Sequence, residues 1–122
     1  MTIVGENEVK LLKKLRLAML GYTSDVMLAG MKQLVENNQQ DIEKFVPTKY
    51  HPYIRMKDGS QITGISFAEH LRGHKYDQLI LVDDKRWNIL TDKAVEIDQI
   101  IEQTMYMSDV PKEFQILHYL VE

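Results

Sequence analysis

The sequence predicts an α+β fold: a helical hairpin at the N-terminal end, a small antiparallel β-sheet or partly closed barrel, an acidic helix, and a C-terminal strand or helix. Two observations support this prediction. Apolar residues recur at helical spacing over residues 6–45 and again over residues 91–105, whereas they alternate with polar residues after Pro47. Helices segregated from a run of antiparallel strands are typical of the α+β class.

A first helix is expected from about residue 6 to residue 20. Its apolar residues recur at steps of three and four, and Gly21 ends it because glycine readily closes a last helical turn. A second apolar set lies across the helix, so one face can meet the domain's own core while the other needs a partner. We therefore expect a homo-oligomer, and its predicted interface consists of Val9, Leu17 and Leu20.

A second helix is expected over residues 24–45. Thr23 offers a hydroxyl cap at its start, and the residue before Pro47 is pushed out of the helical region, which ends it. With the first helix it would form an antiparallel hairpin over residues 1–46.

The sheet is predicted between residues 50 and 90. Alternation leads into Asp58-Gly59, a strong signal for a two-residue hairpin turn, and Gly64 in the returning strand indicates a bulge or bend. Residues 54–64 resemble the first hairpin of Sm-like and SH3-like barrels through these two features.

A second hairpin is predicted from two further runs. Residues 79–82 are all apolar and suit a strand covered on both faces, and a returning strand is expected over residues 86–90.

The last part of the chain, residues 91–122, is predicted to hold a helix that Thr91 can cap, followed by a shorter element. Residues 113–121 fit both a helix and a strand. We lean to a strand because Phe, Ile, Tyr and Val are better strand formers than helix formers.

The composition is that of a single globular domain spanning residues 1–122. The chain has 15 Lys and Arg against 18 Asp and Glu, 44% hydrophobic residues and no cysteine. The lack of cysteine excludes disulfides, zinc fingers of the Cys type, iron–sulfur clusters and thiol nucleophiles. We expect a cytoplasmic protein without membrane contact, because no uncharged apolar run suits a signal peptide or a spanning helix.

Cofactor and catalytic patterns are not found. Gly59, Gly64 and Gly73 are too widely spaced to cradle phosphates as a P-loop or a dinucleotide-binding loop does, and no nucleophile elbow occurs. We therefore expect no bound cofactor and interpret the chain as a non-enzymatic binding or regulatory protein.

An acidic docking surface is the first candidate site. Residues 91–122 carry seven acidic and only two basic side chains, and such a field steers a basic partner. A solvated face with acid near the helix start is the simpler interpretation. The partner, a protein or a small ligand, would engage this helix or the cleft between hairpin and sheet. The predicted partner-binding residues are Asp92, Glu96, Asp98 and Glu102.

A nucleic-acid surface is the main alternative. Aromatic side chains beside cations bind single strands by stacking on the bases, although the overall acidity of this chain favours a plain solvated strand face. The residues of this predicted face are Tyr50, Tyr53, Arg55, Lys57, Lys85, Arg86 and Trp87.

A metal-dependent enzyme is the second alternative. His70 and His74 lie four residues apart, as two metal ligands on one helix do, but Gly73 weakens the helix that would align them, so we favour two solvent-facing histidines. Asp83 and Asp84 also suit a cation, yet adjacent Asp residues usually serve a turn. No metal ligand set is predicted.

Overall fold

The computed structural model describes residues 15–48, 51–66, 75–86 and 88–121, and within these ranges six strands form one mixed sheet. The strands are β1 (Arg16–Gly21), β2 (Ile42–Val46), β3 (Tyr53–Met56), β4 (Gln61–Ser66), β5 (Gln78–Asp83) and β6 (Ile116–Leu120). The helices are α1 (Ser24–Asn37), α2 (Ile89–Asp92), α3 (Ala94–Thr104) and α4 (Lys112–Gln115). Among the described residues, no helix has the length and apolar character that a bilayer span requires.

The strand order is β2-β3-β4-β1-β5-β6. Strands β4, β1, β5 and β6 are parallel neighbours, whereas β3 runs antiparallel to β4 and β2 antiparallel to β3. The carboxyl ends of four strands therefore meet at one edge of the sheet, which we call the carboxyl edge. In open sheets of this kind ligands bind outside that edge.

The predicted N-terminal helical hairpin is wrong. Residues 16–21 form the central strand β1 instead of the end of a helix, and the earlier part of the predicted helix lies outside the described residues. The physical reason is burial: residues 17–20 are at most 1% exposed, so both faces of the segment must be apolar. An apolar run of this length fits an interior parallel strand as well as a buried helix.

The predicted second helix is too long. Helix α1 begins after Thr23, whose hydroxyl accepts a hydrogen bond from the Val26 N–H, and it ends at Asn37. A 3₁₀ turn over Gln39–Asp41 follows, and the remaining residues form strand β2. The apolar residues at the end of the predicted stripe face the core from this strand.

The predicted antiparallel sheet or barrel is only partly correct. The hairpin at Asp58-Gly59 is confirmed, with β3 and β4 paired and Gly59 at φ 92°. The strand expected over residues 79–82 is also confirmed, but it pairs in parallel with β1 and β6, and the return over residues 86–90 is a turn followed by α2. The sheet of the described residues is therefore mixed and open.

Gly64 has a different role from the predicted bulge, since β4 runs through it in regular register. A Cβ atom there would lie 2.5 Å from Met27 Sδ and 2.8 Å from Pro52 Cγ. The glycine therefore lets α1 approach the sheet closely.

Two apolar cores lie on opposite faces of the sheet. Helix α1 covers one face, where Met27 and Met31 pack against β1, β5 and the β3–β4 hairpin. Helix α3 covers β1 and β5 on the other face through residues such as Ile97. The predicted third helix is confirmed as α3, but Thr91 does not cap it, because Thr91 lies within α2 and α3 begins after Lys93 without a side-chain cap. The strand favoured for residues 113–121 forms over residues 116–120, and the residues before it belong to the short helix α4.

Candidate functional site

Asp83 is the last residue of the buried strand β5 and stands at the carboxyl edge. The side chains of β5 alternate between the two cores: Val82 faces α1, whereas Leu81 faces α3. Asp83 therefore points to the α3 side, where it is only 1% exposed. A carboxylate at the end of an apolar, fully buried strand is costly unless its oxygens find partners.

Among the described residues, hydrogen-bond partners are found for one oxygen of Asp83 and not for the other. Asp83 Oδ2 accepts a hydrogen bond from the Ile89 N–H at 2.9 Å and lies 3.1 Å from Nε2 of His118, whose side chain is 44% exposed. Asp83 Oδ1 is buried and has no hydrogen-bond partner in the described part of the chain. Gln78 Oε1 is also unpartnered but belongs to a neutral amide, and it lies at the opposite end of the strand. The unpartnered carboxylate oxygen is thus the more costly group.

Asp84 plays a different part from its neighbour. Its side chain accepts hydrogen bonds from the Arg86 backbone N–H at 2.8 Å and from the Arg86 guanidinium at 2.8 and 3.1 Å. The side-chain hydrogen bond from Arg86 is the main reason why the pKa of Asp84 is lowered, and in return it raises the pKa of Arg86. The prediction that these aspartates serve a turn therefore holds for Asp84. Asp83 is instead buried at the end of the strand.

A shallow concavity of about 340 Å³ opens at the carboxyl edge, and Asp84 lines it, whereas the buried side chain of Asp83 does not. It lies where β5 and β6 end, because the Val121 N–H donates to the Asp83 carbonyl oxygen at 2.7 Å. Exposed Lys85 and Arg86 bring positive charge to it. The residues that line it are Asp84, Lys85, Arg86 and Val121.

Two of the three residues predicted to form the oligomer interface, Leu17 and Leu20, do not share a surface. Leu17 and Leu20 are 1% and 0% exposed and lie in the two different cores of the domain. Val9 lies outside the described residues. The two-faced helix on which this interface was based is replaced by a strand buried on both sides, so the prediction for Leu17 and Leu20 is corrected.

The four acidic residues predicted to bind a partner are all exposed. Asp92 ends α2, and Lys93 separates it from α3. Asp92 and Glu96 therefore lie on different helices, whereas Asp98 and Glu102 lie four residues apart on α3.

The predicted nucleic-acid face is divided by the sheet. Tyr53 and Arg55 lie on β3, with the guanidinium carbon of Arg55 5.9 Å from the centre of the Tyr53 ring. Exposed Lys57 follows directly, whereas Lys85 and Arg86 lie beyond β5, which β4 and β1 separate from β3. Tyr50 and Trp87 lie outside the described residues.

The predicted histidine pair, His70 and His74, lies outside the described residues. Within the described part of the chain, no three His, Cys, Asp or Glu side chains are grouped so that they could hold a metal ion. Among the described residues, Asp83 is therefore not part of a three-residue metal-binding cluster.

Sequence reasoning missed two features that matter here. The contact between Asp83 and His118 joins two strands 35 residues apart, and only the parallel pairing of β5 with β6 brings them together. Lys44, which lies directly opposite Arg55 on β2, was also missed because residues 42–46 were assigned to a helix. An apolar run that ends in Asp was the available signal for the first feature.

The chain matches no protein-family model, no curated protein and no solved structure.

Proposed function

We propose that this protein is a non-enzymatic binding protein for a small phosphate-bearing ligand carried with a divalent cation, such as a Mg²⁺-bound nucleotide. Asp83 would contact the cation at the carboxyl edge, and Lys85 and Arg86 would meet the phosphates. A location in the cytoplasm, where such ligands abound, belongs to the same proposal. The observation that carries it is the buried, unpartnered Oδ1 of Asp83.

The cost of that oxygen supports a ligand role. Leaving a buried polar atom unpaired costs about 1–3 kcal/mol, and more for a charged group. Native proteins keep few such atoms, and each one calls for a reason such as an ion that completes the site. A cation near Oδ1 would supply the missing partner.

The place of Asp83 in the sheet supports the same conclusion. Ligands of open parallel sheets bind beyond the carboxyl ends of the strands, and phosphate-binding proteins of the P-loop class hold Mg²⁺ with an Asp that follows a buried strand. Mg²⁺ usually keeps several waters and takes one or two carboxylates plus the phosphates of its ligand. A cluster of three protein ligands is therefore not required.

The charges around the concavity suit an anionic ligand bound with a cation. Lys85 and Arg86 stand within three residues of Asp83, and Arg86 is 72% exposed although it is paired with Asp84. Guanidinium groups bind phosphate through paired hydrogen bonds. The sequence has no nucleophile elbow and no phosphate-cradling glycine loop, so binding without turnover is the proposed activity.

Titration calorimetry with Mg²⁺ and ATP, with Mg²⁺ alone and with ATP plus EDTA tests the proposal. Asp83→Asn should weaken binding of the Mg²⁺-bound nucleotide by about tenfold or more, because a charge-assisted contact contributes about 1.5–3 kcal/mol. Asp98→Asn removes the same charge from exposed α3 and should leave the affinity unchanged. Equal binding by wild type and Asp83→Asn, or no binding to wild type, would refute the proposal.

A second function, binding of single-stranded nucleic acid, is favoured by one observation on the other half of the sheet. Lys44 and Arg55 are direct cross-strand neighbours on exposed positions of β2 and β3, and Arg55 stacks near Tyr53. Like charges directly opposite each other destabilise a sheet, so an anion between them would be bound favourably. An aromatic ring beside paired cations suits a phosphodiester chain with stacked bases.

Fluorescence anisotropy with a labelled single-stranded oligonucleotide tests this second function. Binding should weaken steeply with salt and should be lost in Arg55→Glu, whereas Lys112→Glu, an equal charge change on α4, should have a much smaller effect. Binding that both variants weaken equally would point to nonspecific attraction and would contradict the proposed face.

A further inference from the structure

Strand β6 is an outer strand of the sheet that the described residues form, and those residues give it none of the usual protection of an edge. Among the described residues it pairs only with β5, and its sequence from Ile116 to Leu120 contains no proline, lysine or acidic residue. Leu120 is 53% exposed, and nearby Phe114 is 43% exposed. Natural proteins usually blunt such an edge with charge, proline or a bulge, because its backbone groups can pair with another chain.

The backbone of β6 shows which residues offer their hydrogen-bonding groups outward. The Val121 N–H donates to the Asp83 carbonyl oxygen, so Val121 and the alternate residues Leu117 and Tyr119 face β5. Because backbone groups alternate in direction along a strand, Ile116, His118 and Leu120 present their N–H and C=O groups to the outside.

We propose that this edge binds a second copy of the same chain, with the two β6 strands antiparallel and His118 on the twofold axis. In that register Ile116 of one copy lies opposite Leu120 of the other, and His118 lies opposite its counterpart. All three pairs consist of residues whose backbone groups face outward, so each pair exchanges two hydrogen bonds. The contact closes on itself, as a twofold dimer interface must.

The side chains of β6 are complementary in the same register. Ile116 meets Leu120 on the α3 side, and Leu117 meets Tyr119 on the α1 side, so both faces gain apolar cross-strand pairs. His118 is held by Asp83 of its own chain, 3.1 Å away toward β5. This contact directs the His118 ring away from the twofold axis. At the axis the ring would collide with the His118 ring of the other copy.

The charge pattern supports a second copy as the occupant. Although residues 91–122 are strongly acidic, none of the acidic side chains lies within β6, and α3 packs over β1 and β5. Two copies therefore join along an uncharged strand. This dimer replaces the one predicted through the first helix and does not depend on the proposed ligand.

Disulfide crosslinking in the cysteine-free chain tests the register. In the proposed dimer the two Cα atoms of residue 118 are about 5.5 Å apart, within the range that a disulfide spans. His118→Cys should therefore form a covalent dimer on mild oxidation. Leu120→Cys, whose two copies are four residues out of register and about 14 Å apart, should not.

Light scattering of the unmodified chain tests the dimer itself. The wild type should have twice the mass of one chain, and Leu120→Lys should shift it to the mass of a single chain while circular dichroism stays unchanged. Val95→Lys, at another exposed apolar position on α3, should stay dimeric. A wild-type protein of single-chain mass overturns the proposal, and so does a dimer that crosslinks through residue 120 and not through residue 118.

Discussion

Gly30→Ala is the substitution that tests the packing of α1 on the sheet most sharply. Alanine normally stabilises a helix interior by about 1 kcal/mol relative to glycine. Gly30 is buried in the middle of α1, and a Cβ atom there would lie 2.6 Å from Val82 Cγ1 and 3.1 Å from Val82 Cγ2. Carbon atoms in good contact are about 3.5–4.0 Å apart, so the added methyl group overlaps the valine.

Val82 has no room to yield. Its side chain is branched at Cβ and therefore stiff, and it is 0% exposed within the core below α1. Overpacking of a core costs about 1–3 kcal/mol, from which the gain in helix propensity is subtracted. The expected outcome for Gly30→Ala is a net loss of up to about 2 kcal/mol in the free energy of unfolding.

The sign of this effect should reverse when Val82 is truncated. Val82→Ala alone should cost about 2–3 kcal/mol through its cavity. In that background the Cγ atoms are gone, so Gly30→Ala should stabilise the protein by up to about 1 kcal/mol. The double-mutant cycle thus yields a coupling of about 1–3 kcal/mol, as is typical of residues in contact.

Urea denaturation followed by circular dichroism measures all four proteins, with the slope of the transition checked for constancy. Glu36→Ala, at an exposed position of the same helix, controls for helix propensity and should change the stability by less than about 0.5 kcal/mol. If Gly30→Ala stabilises the protein in both backgrounds, α1 does not lie on Val82, and the assignment of faces that puts Asp83 on the α3 side fails with it.

Three further outcomes are expected. Leu20→Glu should unfold the chain, because it buries a charge in the core. The measurement should show a loss of the circular dichroism signal and not a folded monomer. Thr23→Ala should lower the stability by about 1 kcal/mol in urea denaturation through loss of the α1 cap, while Ser24→Ala should change it less. Arg86→Ala should raise the pKa of Asp84 in an NMR titration, and a pKa that does not move contradicts the pairing. Because the pKa of Asp84 is lowered in the folded protein, any difference in stability between this variant and wild type should exist above about pH 3.9 and vanish as the pH falls.

Local signals in the sequence were reliable where the spacing of apolar residues or a turn dipeptide was enough to specify the element. Asp58-Gly59 gave the hairpin, the steps of three and four gave α3, and four consecutive apolar residues gave β5. In each case the local preference of the chain agrees with the final environment. Such agreement is what makes a segment predictable without its partners.

The prediction of a helix for residues 15–20 was wrong because the structure of this segment depends on neighbours far away in the chain. A run of apolar residues with one arginine satisfies a helix with two apolar faces and also a strand covered on both faces. The choice is made by β4 and β5, which pair with β1 from about 45 and 60 residues further along the chain. The two-faced helix was therefore the wrong explanation for a correct observation, namely that both sides of Leu17 and its neighbours are apolar.

The candidate site shows the same limit at the scale of a single residue. Asp83 and Asp84 are adjacent residues of the same type, but a strand directs successive side chains to opposite faces. The side chain of Asp83 therefore lies on the α3 side of the sheet, and that of Asp84 lies in the turn. Asp83 is buried because it is the last residue of β5, and one of its oxygens lacks a hydrogen-bond partner among the described residues. Asp84, in the turn, has no such unpaired buried oxygen. The difference in burial and pairing between the two carboxylates thus arises from where β5 ends, and the boundary of an element is the feature that a sequence specifies least sharply.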